Sequence, residues 1–286
     1  MAVIMDGKLV AKKVREEIKL EIEALKNAGK PTPGFAVILL GEDPGNVTYV
    51  KNKKRACKEV GIRFDEFLLP EETSQEELLK LINALNKTDD VHGILVQASP
   101  LPPQIDESTV FAAISPQKDV DAFHPQNVGK IMIGEFDFLP CTPAGIMELL
   151  AHYNIDVKGK ECVVVGRSNI VGKPQAMLLL HKDATVTICH SKTKDLAEKT
   201  RQADVLIVAM RQRKFIKADM IKEGAVVIDV GINRDDNNKL CGDVDFDDVE
   251  KKASYITPVP GGVGPMTITI LLKNTLTACK NLTKSV

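Results

Sequence analysis

The stretch E-C-V-V-V-G-R-S-N-I-V-G-K-P, residues 161–174, decides the fold of the central part of the chain. A β-branched run ends abruptly in Gly166, and a second glycine, Gly172, follows six residues later, before an apolar segment with helical character. This order is the outline of a strand, a phosphate-cradling turn and a helix, as in dinucleotide-binding folds. Ser168 replaces the usual middle glycine and Arg167 stands beside it, so the motif predicts a nucleotide cofactor with additional negative charge. The motif alone does not identify a substrate.

Composition is typical of a soluble globular protein. The 286 residues suffice for two ordinary domains, and 44% of them are hydrophobic and 27% charged. A net charge of -1 and an aromatic content of 4% argue against a nucleic-acid partner. No apolar run approaches the roughly 18 residues that a membrane span requires, and no secretory signal is visible. We therefore expect a cytoplasmic protein without a membrane partner.

Cysteine usage indicates a reducing compartment. The six cysteines are widely scattered and form no C-x-x-C pair. This distribution favours reduced, buried thiols over a disulfide framework or a zinc site, and we expect no metal.

Strand and helix signals alternate along two blocks, which predicts an α/β fold with largely parallel sheets. The apolar positions of residues 8–28 have helical spacing, and a capping box at Ser74 opens another helix. The predicted strands are 35–40, 64–69, 92–97, 162–165, 185–189, 205–209, 226–230 and 255–259, and the predicted helices include 8–28, 47–60, 144–153 and 266–280.

Tyr49 and Lys53 are four residues apart on a predicted helix, so their side chains share one face. Such a pair can place a phenol and an amine around one reacting centre. The amine could serve as an acid or a base if burial lowered its pKa from about 10.4 toward ~7–8. The basic run from Lys51 to Lys58 favours a solvated helix face instead, and the spacing alone does not decide for catalysis.

Polar residues near the end of the third predicted strand are a second candidate group. Gln97 ends that strand, where ligands of open α/β sheets collect, and its amide could orient an amine; an ordinary polar strand end is the alternative. Asp119 and Asp121 lie in an irregular segment, and a carboxylate there could bind an amino-pyrimidine edge. Turn formation is the favoured alternative for both. His124 precedes a proline and is interpreted as structural.

The residues after the strand ending at position 189 favour NADP over NAD. A fold selective for NAD normally has an acid there to bind the ribose 2′-hydroxyl, and this chain has none. Ser191 and Arg167 offer a hydroxyl and a guanidinium, which suit a 2′-phosphate. A late glycine- and proline-rich loop, residues 259–265, precedes a helix and could approach a ligand through its backbone; a plain turn is the alternative.

Together these segments closely resemble the bifunctional methylenetetrahydrofolate dehydrogenase/cyclohydrolase family, over essentially the full length of the chain. The order and spacing of the shared motifs are far more specific than any single motif. The motifs are D-G-K at 6–8, Y-V-K-N-K at 49–53, G-I-L-V-Q at 93–97, K-D-V-D-A-F-H-P at 118–125, P-C-T-P-A-G at 140–145, V-G-R-S-N-I-V-G-K-P at 165–174, I-D-V-G-I-N-R at 228–234, G-D-V-D-F at 242–246 and T-P-V-P-G-G-V-G-P-M-T at 257–267.

The resemblance implies two reactions of one-carbon metabolism, which feeds purine biosynthesis. 5,10-Methylenetetrahydrofolate is oxidised by NADP+ to 5,10-methenyltetrahydrofolate, which water then opens to 10-formyltetrahydrofolate. The resemblance also implies a homodimer with a Rossmann-type NADP-binding domain, residues 141–266. A folate-binding catalytic α/β domain, residues 1–140 plus 267–286, would complete the chain, with the active site in the cleft between the domains.

The same resemblance assigns roles to individual residues. The lysine that matches Lys53 is the acid/base of hydrolysis, and the glutamine that matches Gln97 tunes it. Asp121 matches a residue that holds the pterin, and Tyr49 matches one that lines the folate pocket. The remaining matches are substrate-binding positions at Val96, Pro260, Gly261, Gly262, Gly264 and Pro265, and cofactor-binding positions at Gly166, Arg167, Ser168, Ser191 and Ile232.

The chain departs from the family pattern at several positions. Arg211 and Arg213 stand where a glycine and a proline are usual, Asn46 replaces a serine, and Ala122 replaces a glycine. Residues 98–99 lengthen the loop after Gln97 by one residue.

The departures leave alternatives open. The two arginines could tighten the binding of the cofactor phosphates or could point to solvent. A family member with one activity or with NAD preference is one rival interpretation. A non-catalytic nucleotide- or folate-binding protein is the other, and the intact Lys53, Gln97 and Asp121 argue against it.

Overall fold

The computed structural model describes residues 1–97 and 101–283 and has the predicted α/β architecture. The extra loop residues 98–99 lie outside the described residues. The strands are β1 (Val3–Ile4), β2 (Gly34–Leu40), β3 (Arg63–Leu69), β4 (Gly93–Gln97), β5 (Glu161–Val165), β6 (Thr185–Cys189), β7 (Val205–Val208), β8 (Val226–Asp229), β9 (Asn233–Arg234), β10 (Leu240–Cys241) and β11 (Tyr255–Ile256).

Helices connect most of these strands. The helices are α1 (Gly7–Asn27), α2 (Pro44–Val60), α3 (Gln75–Asn86), α4 (Glu107–Ala113), α5 (Pro125–Ile133), α6 (Cys141–His152), α7 (Gly172–Leu180), α8 (Leu196–Thr200), α9 (Phe246–Val249) and α10 (Val263–Thr283).

One compact unit, here called the six-strand unit, comprises Met1–Lys12 and Pro140–Thr267. Its parallel sheet has the strand order β1-β11-β8-β7-β5-β6, and a short antiparallel pair, β9 and β10, accompanies it. All four residues of β7 and all four of β8 are buried, as expected for strands covered on both faces. The β-branched runs of the sequence therefore form the core of this unit.

The other compact unit, here called the three-strand unit, comprises the described residues of Lys13–Leu139 and of Ile268–Val286. Its parallel sheet has the order β3-β2-β4, and all seven residues of the central β2 are buried. Ser74 and Glu77 form the predicted capping box of α3. Asp43 caps the N-terminus of α2, where its carboxylate accepts from Asn46 N, and Gly61 ends that helix with φ 89°.

The N-terminus differs from the sequence-based division of the chain. Residues 1–140 were expected together, yet β1 pairs with β11, and Met1–Lys12 belong to the six-strand unit. A two-residue strand carries no readable period, so its pairing depends on a partner about 250 residues away. The strand expected at 255–259 is also shorter, since β11 ends at Ile256.

Within residues 1–97 and 101–283, no helix is both long enough and apolar enough to cross a membrane. The same residues contain no cluster of histidine, cysteine, aspartate and glutamate that could hold a metal ion. All six cysteines are buried thiols.

Candidate functional site

The carboxyl end of β4 and one face of α2 meet in the three-strand unit. Lys53 Nζ donates to Gln97 Oε1 at 2.5 Å, and Gln97 Nε2 donates to Asn46 Oδ1 at 3.1 Å. Lys53 and Asn46 are each 8% exposed, although both are polar. The structure thus brings together two predicted site residues, Lys53 and Gln97, and adds Asn46, which the sequence marked only as a departure.

Tyr49 lies one turn before Lys53 on α2 and is 43% exposed. Its ring is therefore available to contact a ligand on the helix face that carries the amine. Val96 and Gln97 are partly buried at the end of β4. Burial raises the pKa of the nearby Cys57 thiol to about 12, against the opposing charges of Lys53 and Arg15. Cys57 therefore stays a neutral thiol and does not supply a nucleophile.

The two aspartates of the segment after α4 have different surroundings. Asp119 is buried, and its Oδ2 accepts from His124 N and Asn127 Nδ2, both at 2.8 Å. Burial raises the pKa of the Asp119 carboxyl. Asp119 therefore has the turn-forming role that the sequence favoured, and Asp121, two residues later, is partly buried.

Two other residues of this segment explain its course. His124 caps α5, since its Nδ1 accepts from Gln126 N at 3.0 Å, so it is structural as predicted. Ala122 has φ 58°, in the left-handed region where a glycine is unstrained. The glycine that is usual here in the family would fit this backbone without strain.

The strand register of the six-strand unit aligns the predicted cofactor residues at one sheet edge. Val165 of β5 pairs with Cys189 of β6 and with Val208 of β7, and Val208 pairs with Asp229 of β8. The segments that follow these strand ends carry the predicted residues Gly166, Arg167, Ser168, Ser191 and Ile232. This is the carboxyl edge of a parallel sheet, where dinucleotides bind in doubly wound folds.

The glycine turn at this edge fits a dinucleotide. Gly166 has φ 144°, and a Cβ on it would lie 2.4 Å from Ala209 O. A Cβ on Gly172 would lie 2.2 Å from Gly166 O. The first turn of α7 therefore packs directly on the strand end, and only glycine permits this approach, which is the arrangement of helix N-termini that bind phosphates in dinucleotide folds.

Ser168 stabilises the turn itself. Its Oγ accepts from Val171 N at 3.1 Å and from Gly172 N at 3.3 Å. At the position where a glycine is usual, the Ser168 hydroxyl thus stabilises the conformation of the turn through two backbone hydrogen bonds. Arg167, Ser191 and the 53%-exposed Ile232 are at the surface of this edge.

A buried carboxylate organises the loop after β7, where the chain departs from the family. Asp243 is fully buried, and it accepts from the backbone N–H groups of Met210, Arg211 and Gln212 at 2.7, 3.0 and 2.7 Å. Arg213 makes two hydrogen bonds to Asp236, at 2.6 and 2.7 Å. Both arginines are exposed, but the guanidinium of Arg213 is already paired with Asp236 at the surface.

A second buried carboxylate supports the first. Asp229 accepts from Gly231 N at 2.8 Å, Asp243 N at 3.0 Å and Val244 N at 2.9 Å. Burial raises the pKa of Asp229 to about 7, and its three backbone hydrogen bonds oppose that rise. Sequence reasoning gave neither aspartate a role; the signal that could have found them is the pair of acids in I-D-V-G and G-D-V-D.

The late loop packs closely on the start of α1. A Cβ on Gly7 would lie 1.8 Å from Gly262 O, so two backbones meet at these glycines. A Cβ on Gly261 would lie 3.5 Å from Lys8 Cε. Gly261 and Gly262 are buried, whereas Pro260 and Gly264 are exposed at the loop surface and Pro265 is partly buried.

Two family profiles match the chain. The profile of the tetrahydrofolate dehydrogenase/cyclohydrolase catalytic domain matches residues 5–121, and that of the NAD(P)-binding domain of the same family matches residues 140–283. The chain belongs to the tetrahydrofolate dehydrogenase/cyclohydrolase family. The resemblance read from the motifs is therefore confirmed, and so is the two-domain α/β fold.

Curated relatives within this dehydrogenase/cyclohydrolase family match over nearly their whole length. The bifunctional protein FolD of Moorella thermoacetica is 60% identical over 279 residues, which are 98% of this chain and 99% of that protein. The bifunctional protein FolD of Acetivibrio thermocellus is 59% identical over 279 residues, 98% of this chain and 97% of that protein.

Solved structures of the family have the same fold. The bifunctional FolD dehydrogenase/cyclohydrolase of Campylobacter jejuni superposes with a TM-score of 0.96 at 52% identity, over 98% of this chain and 99% of that one. The Trypanosoma brucei enzyme, solved with NADP and an inhibitor, has a TM-score of 0.93 at 41% identity and covers 98% of both chains.

Family membership establishes the chemistry. The chain is an oxidoreductase and a hydrolase of one-carbon metabolism. It oxidises 5,10-methylenetetrahydrofolate to 5,10-methenyltetrahydrofolate and hydrolyses that product to 10-formyltetrahydrofolate.

Proposed function

We propose that Lys53 moves the protons of the hydrolytic reaction, in an enzyme that uses NADP as the cofactor of the oxidation. The observation that carries this proposal is the short contact between Lys53 Nζ and Gln97 Oε1 at the carboxyl end of β4. An amine buried beside an uncharged amide can act as an acid or a base, and the exposed tyrosine one turn away offers an aromatic face to a cationic heterocycle.

Hydrolysis requires one group that accepts and then returns a proton. Water adds to the methenyl carbon, and Lys53 takes one of its protons as the C–O bond forms. Lys53 then protonates N5 as the C–N5 bond breaks. The new hydroxyl loses its proton to solvent when the formyl C=O forms, so one proton is released overall. Lys53 must alternate between amine and ammonium, and the Gln97 carbonyl stabilises the ammonium.

Other residues orient the substrate. Asp121 accepts hydrogen bonds from the amino-pyrimidine edge of the pterin, and Tyr49 and Val96 line the folate pocket. The late loop contributes Pro260, Gly261, Gly262, Gly264 and Pro265. Hydride transfer does not require these residues to donate or accept a proton, because it depends mainly on the alignment of the substrate with the nicotinamide.

NADP binds at the carboxyl edge of the six-strand sheet, and it supplies the hydride acceptor when bound. Gly166 and Ser168 form the phosphate turn, Arg167 and Ser191 bind the 2′-phosphate, and Ile232 contacts the cofactor. Support comes from the lack of an acid after β6 and from the NADP seen in the Trypanosoma brucei relative.

Nucleotide binding and folate binding are assigned to different domains. The proposed functional division assigns nucleotide binding to residues 141–266 and folate binding to residues 1–140 plus 267–286, although Met1–Lys12 pack within the six-strand unit; the catalytic-domain profile over residues 5–121 supports it. The enzyme is a cytoplasmic homodimer. Sedimentation of the purified protein tests the dimer, and fractionation of expressing cells tests the location.

A coupled assay tests the function. The purified protein is given 5,10-methylenetetrahydrofolate with NADP+ or with NAD+, and reduced nicotinamide and the methenyl chromophore are followed together. We expect turnover with NADP+ and at least ~10-fold lower kcat/KM with NAD+, the cost of an unmatched 2′-phosphate site. Equal use of both cofactors would contradict the 2′-phosphate assignment, and no turnover with either would contradict the dehydrogenase.

A further inference from the structure

We propose that Asn46 is a positioning residue for hydrolysis: it fixes the Gln97 amide so that the carbonyl oxygen, and not the NH2 group, faces Lys53. The inference rests on the proposed role of Lys53. It concerns a position at which this chain differs from the usual serine of its family, and it follows from two hydrogen bonds that share one amide.

Helix geometry explains why one glutamine can bridge both partners. Asn46 and Lys53 are seven residues apart on α2, which is two turns and about 10.5 Å along one face. The Gln97 amide lies between them, with its oxygen toward Lys53 and its nitrogen toward Asn46. The two hydrogen bonds thus connect, in order, the Lys53 ammonium, the Gln97 carbonyl, the Gln97 NH2 group and the Asn46 carbonyl.

The order of donors and acceptors fixes the amide. If the Gln97 amide rotated by half a turn, its NH2 group would face the Lys53 ammonium, donor against donor, and its oxygen would face Asn46 Oδ1, acceptor against acceptor. The carbonyl of Asn46 therefore favours the orientation that stabilises the charged lysine. Without an acceptor at position 46, Lys53 is the one hydrogen-bond partner of the amide that would remain among the described residues.

The burial of Asn46 and Lys53 strengthens the effect of Asn46 on the orientation of the Gln97 amide. Asn46 and Lys53 are both 8% exposed, so water competes little for either hydrogen bond. The backbone of Asn46 is held separately, because Asn46 N donates to Asp43 Oδ1 at 2.9 Å. A change of the Asn46 side chain therefore leaves the helix cap intact.

Among the described residues, charged groups near the lysine lie on α1, α2 and β3. On α2 they are Lys53 itself and Lys54, which pairs with Glu66 of β3 at 2.7 Å. On α1 it is Arg15, whose charge, like that of Lys53, acts on the Cys57 thiol. None of them contacts the Gln97 amide nitrogen, so a change at position 46 isolates the orientation of the amide.

Two variants of nearly equal size test the proposal in opposite directions. Asn46→Leu removes the acceptor, and Asn46→Asp keeps an acceptor that cannot donate when ionised. The substrate is methenyltetrahydrofolate alone, and the rate of Lys53→Met is subtracted as background. We expect kcat for hydrolysis to fall about tenfold in Asn46→Leu at unchanged KM, and to stay within about threefold in Asn46→Asp.

The pH profile separates positioning from a general loss of structure. The titration limb that Lys53 controls is expected to move at least ~0.5 units to lower pH in Asn46→Leu and to higher pH in Asn46→Asp, because the first weakens and the second strengthens support for the ammonium. Unmoved limbs, or limbs that move together, would overturn the proposal. If Lys53→Met hydrolyses like the wild type, the role of Lys53 fails first, and the two failures are thereby distinguished.

Discussion

At the carboxyl edge of the three-strand sheet, side chains bond to side chains, whereas at the carboxyl edge of the six-strand sheet, carboxylates bond to the backbone. At the first edge, two side-chain hydrogen bonds link Lys53 to Gln97 and Gln97 to Asn46. The second is held by Asp229 and Asp243, which between them accept from six backbone N–H groups. Both edges lie at equivalent places in parallel α/β sheets.

The difference matches the role proposed for each edge. Proton transfer needs functional groups at defined positions, and side chains supply them. Binding of a phosphate chain needs close backbone approach and a rigid turn, so the functional features there are glycines and the carboxylates that fix loops. Polar substitutions should therefore harm the first edge, and an added methyl group should harm the second.

The largest expected effect on the use of NADP+ is that of Gly166→Ala. The new Cβ would lie 2.4 Å from Ala209 O at φ 144°, so the turn must move. A displacement of about 1 Å at such a site can cost ~100-fold in rate, and we expect that loss in kcat/KM for NADP+. Methenyl hydrolysis, which needs no nicotinamide, should stay within about threefold.

The matched control is Gly159→Ala in the same unit. Gly159 also has positive φ, 67°, but no atom lies within 4 Å of its added Cβ. It should cost only ~1 kcal/mol of unfolding free energy, with unchanged kinetics. If Gly166→Ala kept the wild-type KM for NADP+, the backbone would not be what binds the phosphates.

The next effect concerns pH. Burial raises the pKa of Asp229 from 3.8 to about 7, so the folded chain binds this proton more tightly than the unfolded chain. The resulting stabilisation is full below pH ~4 and is lost as the pH rises through about 7. Between pH 5 and pH 8 the wild type should lose roughly 2–3 kcal/mol of unfolding free energy on this account.

Asp229→Asn is the variant that isolates this effect. It loses one acceptor for a backbone N–H, so it should be less stable than the wild type at pH 5, where Asp229 is protonated. Its stability should nevertheless vary less between pH 5 and pH 8, as measured by urea unfolding. Parallel curves for the two proteins would mean that Asp229 is already ionised in the fold at pH 5.

The smallest effect distinguishes the two arginines of the loop after β7. Arg213 is paired with Asp236, so Arg213→Gln should leave KM for NADP+ within about twofold. Arg211 is exposed at the carboxyl edge, two residues after the Ala209 that contacts the phosphate turn. Arg211→Gln should raise KM about three- to fivefold at low salt and less at high salt. The reverse ranking would mean that the Asp236 pair opens on binding.

Local patterns predicted much of this structure. The β-branched run before Gly166 gave strand, turn and helix correctly, and the capping box at Ser74 is present with both of its hydrogen bonds. Gln97 was placed at a strand end by the apolar run before it, and the structure has it there. These features depend on residues close together in the sequence.

Features that depend on distant partners were not predictable. The Asn46–Gln97 hydrogen bond joins residues 51 positions apart. The Asp243 carboxylate accepts hydrogen bonds from N–H groups of a loop about 30 residues earlier in the chain. β1 has only two residues, so only its pairing with β11 identifies it. Propensity and period carry no information on such pairings.

The role of Lys53 is tested most directly by the products of Lys53→Met. This variant and Lys54→Met, an exposed neighbour whose partner is Glu66, are each given 5,10-methylenetetrahydrofolate and NADP+. Lys53→Met should reduce NADP+ and accumulate the methenyl compound, with hydrolysis at least ~100-fold slower, while Lys54→Met should form 10-formyltetrahydrofolate like the wild type. Formation of 10-formyltetrahydrofolate by Lys53→Met at the wild-type rate would contradict the account.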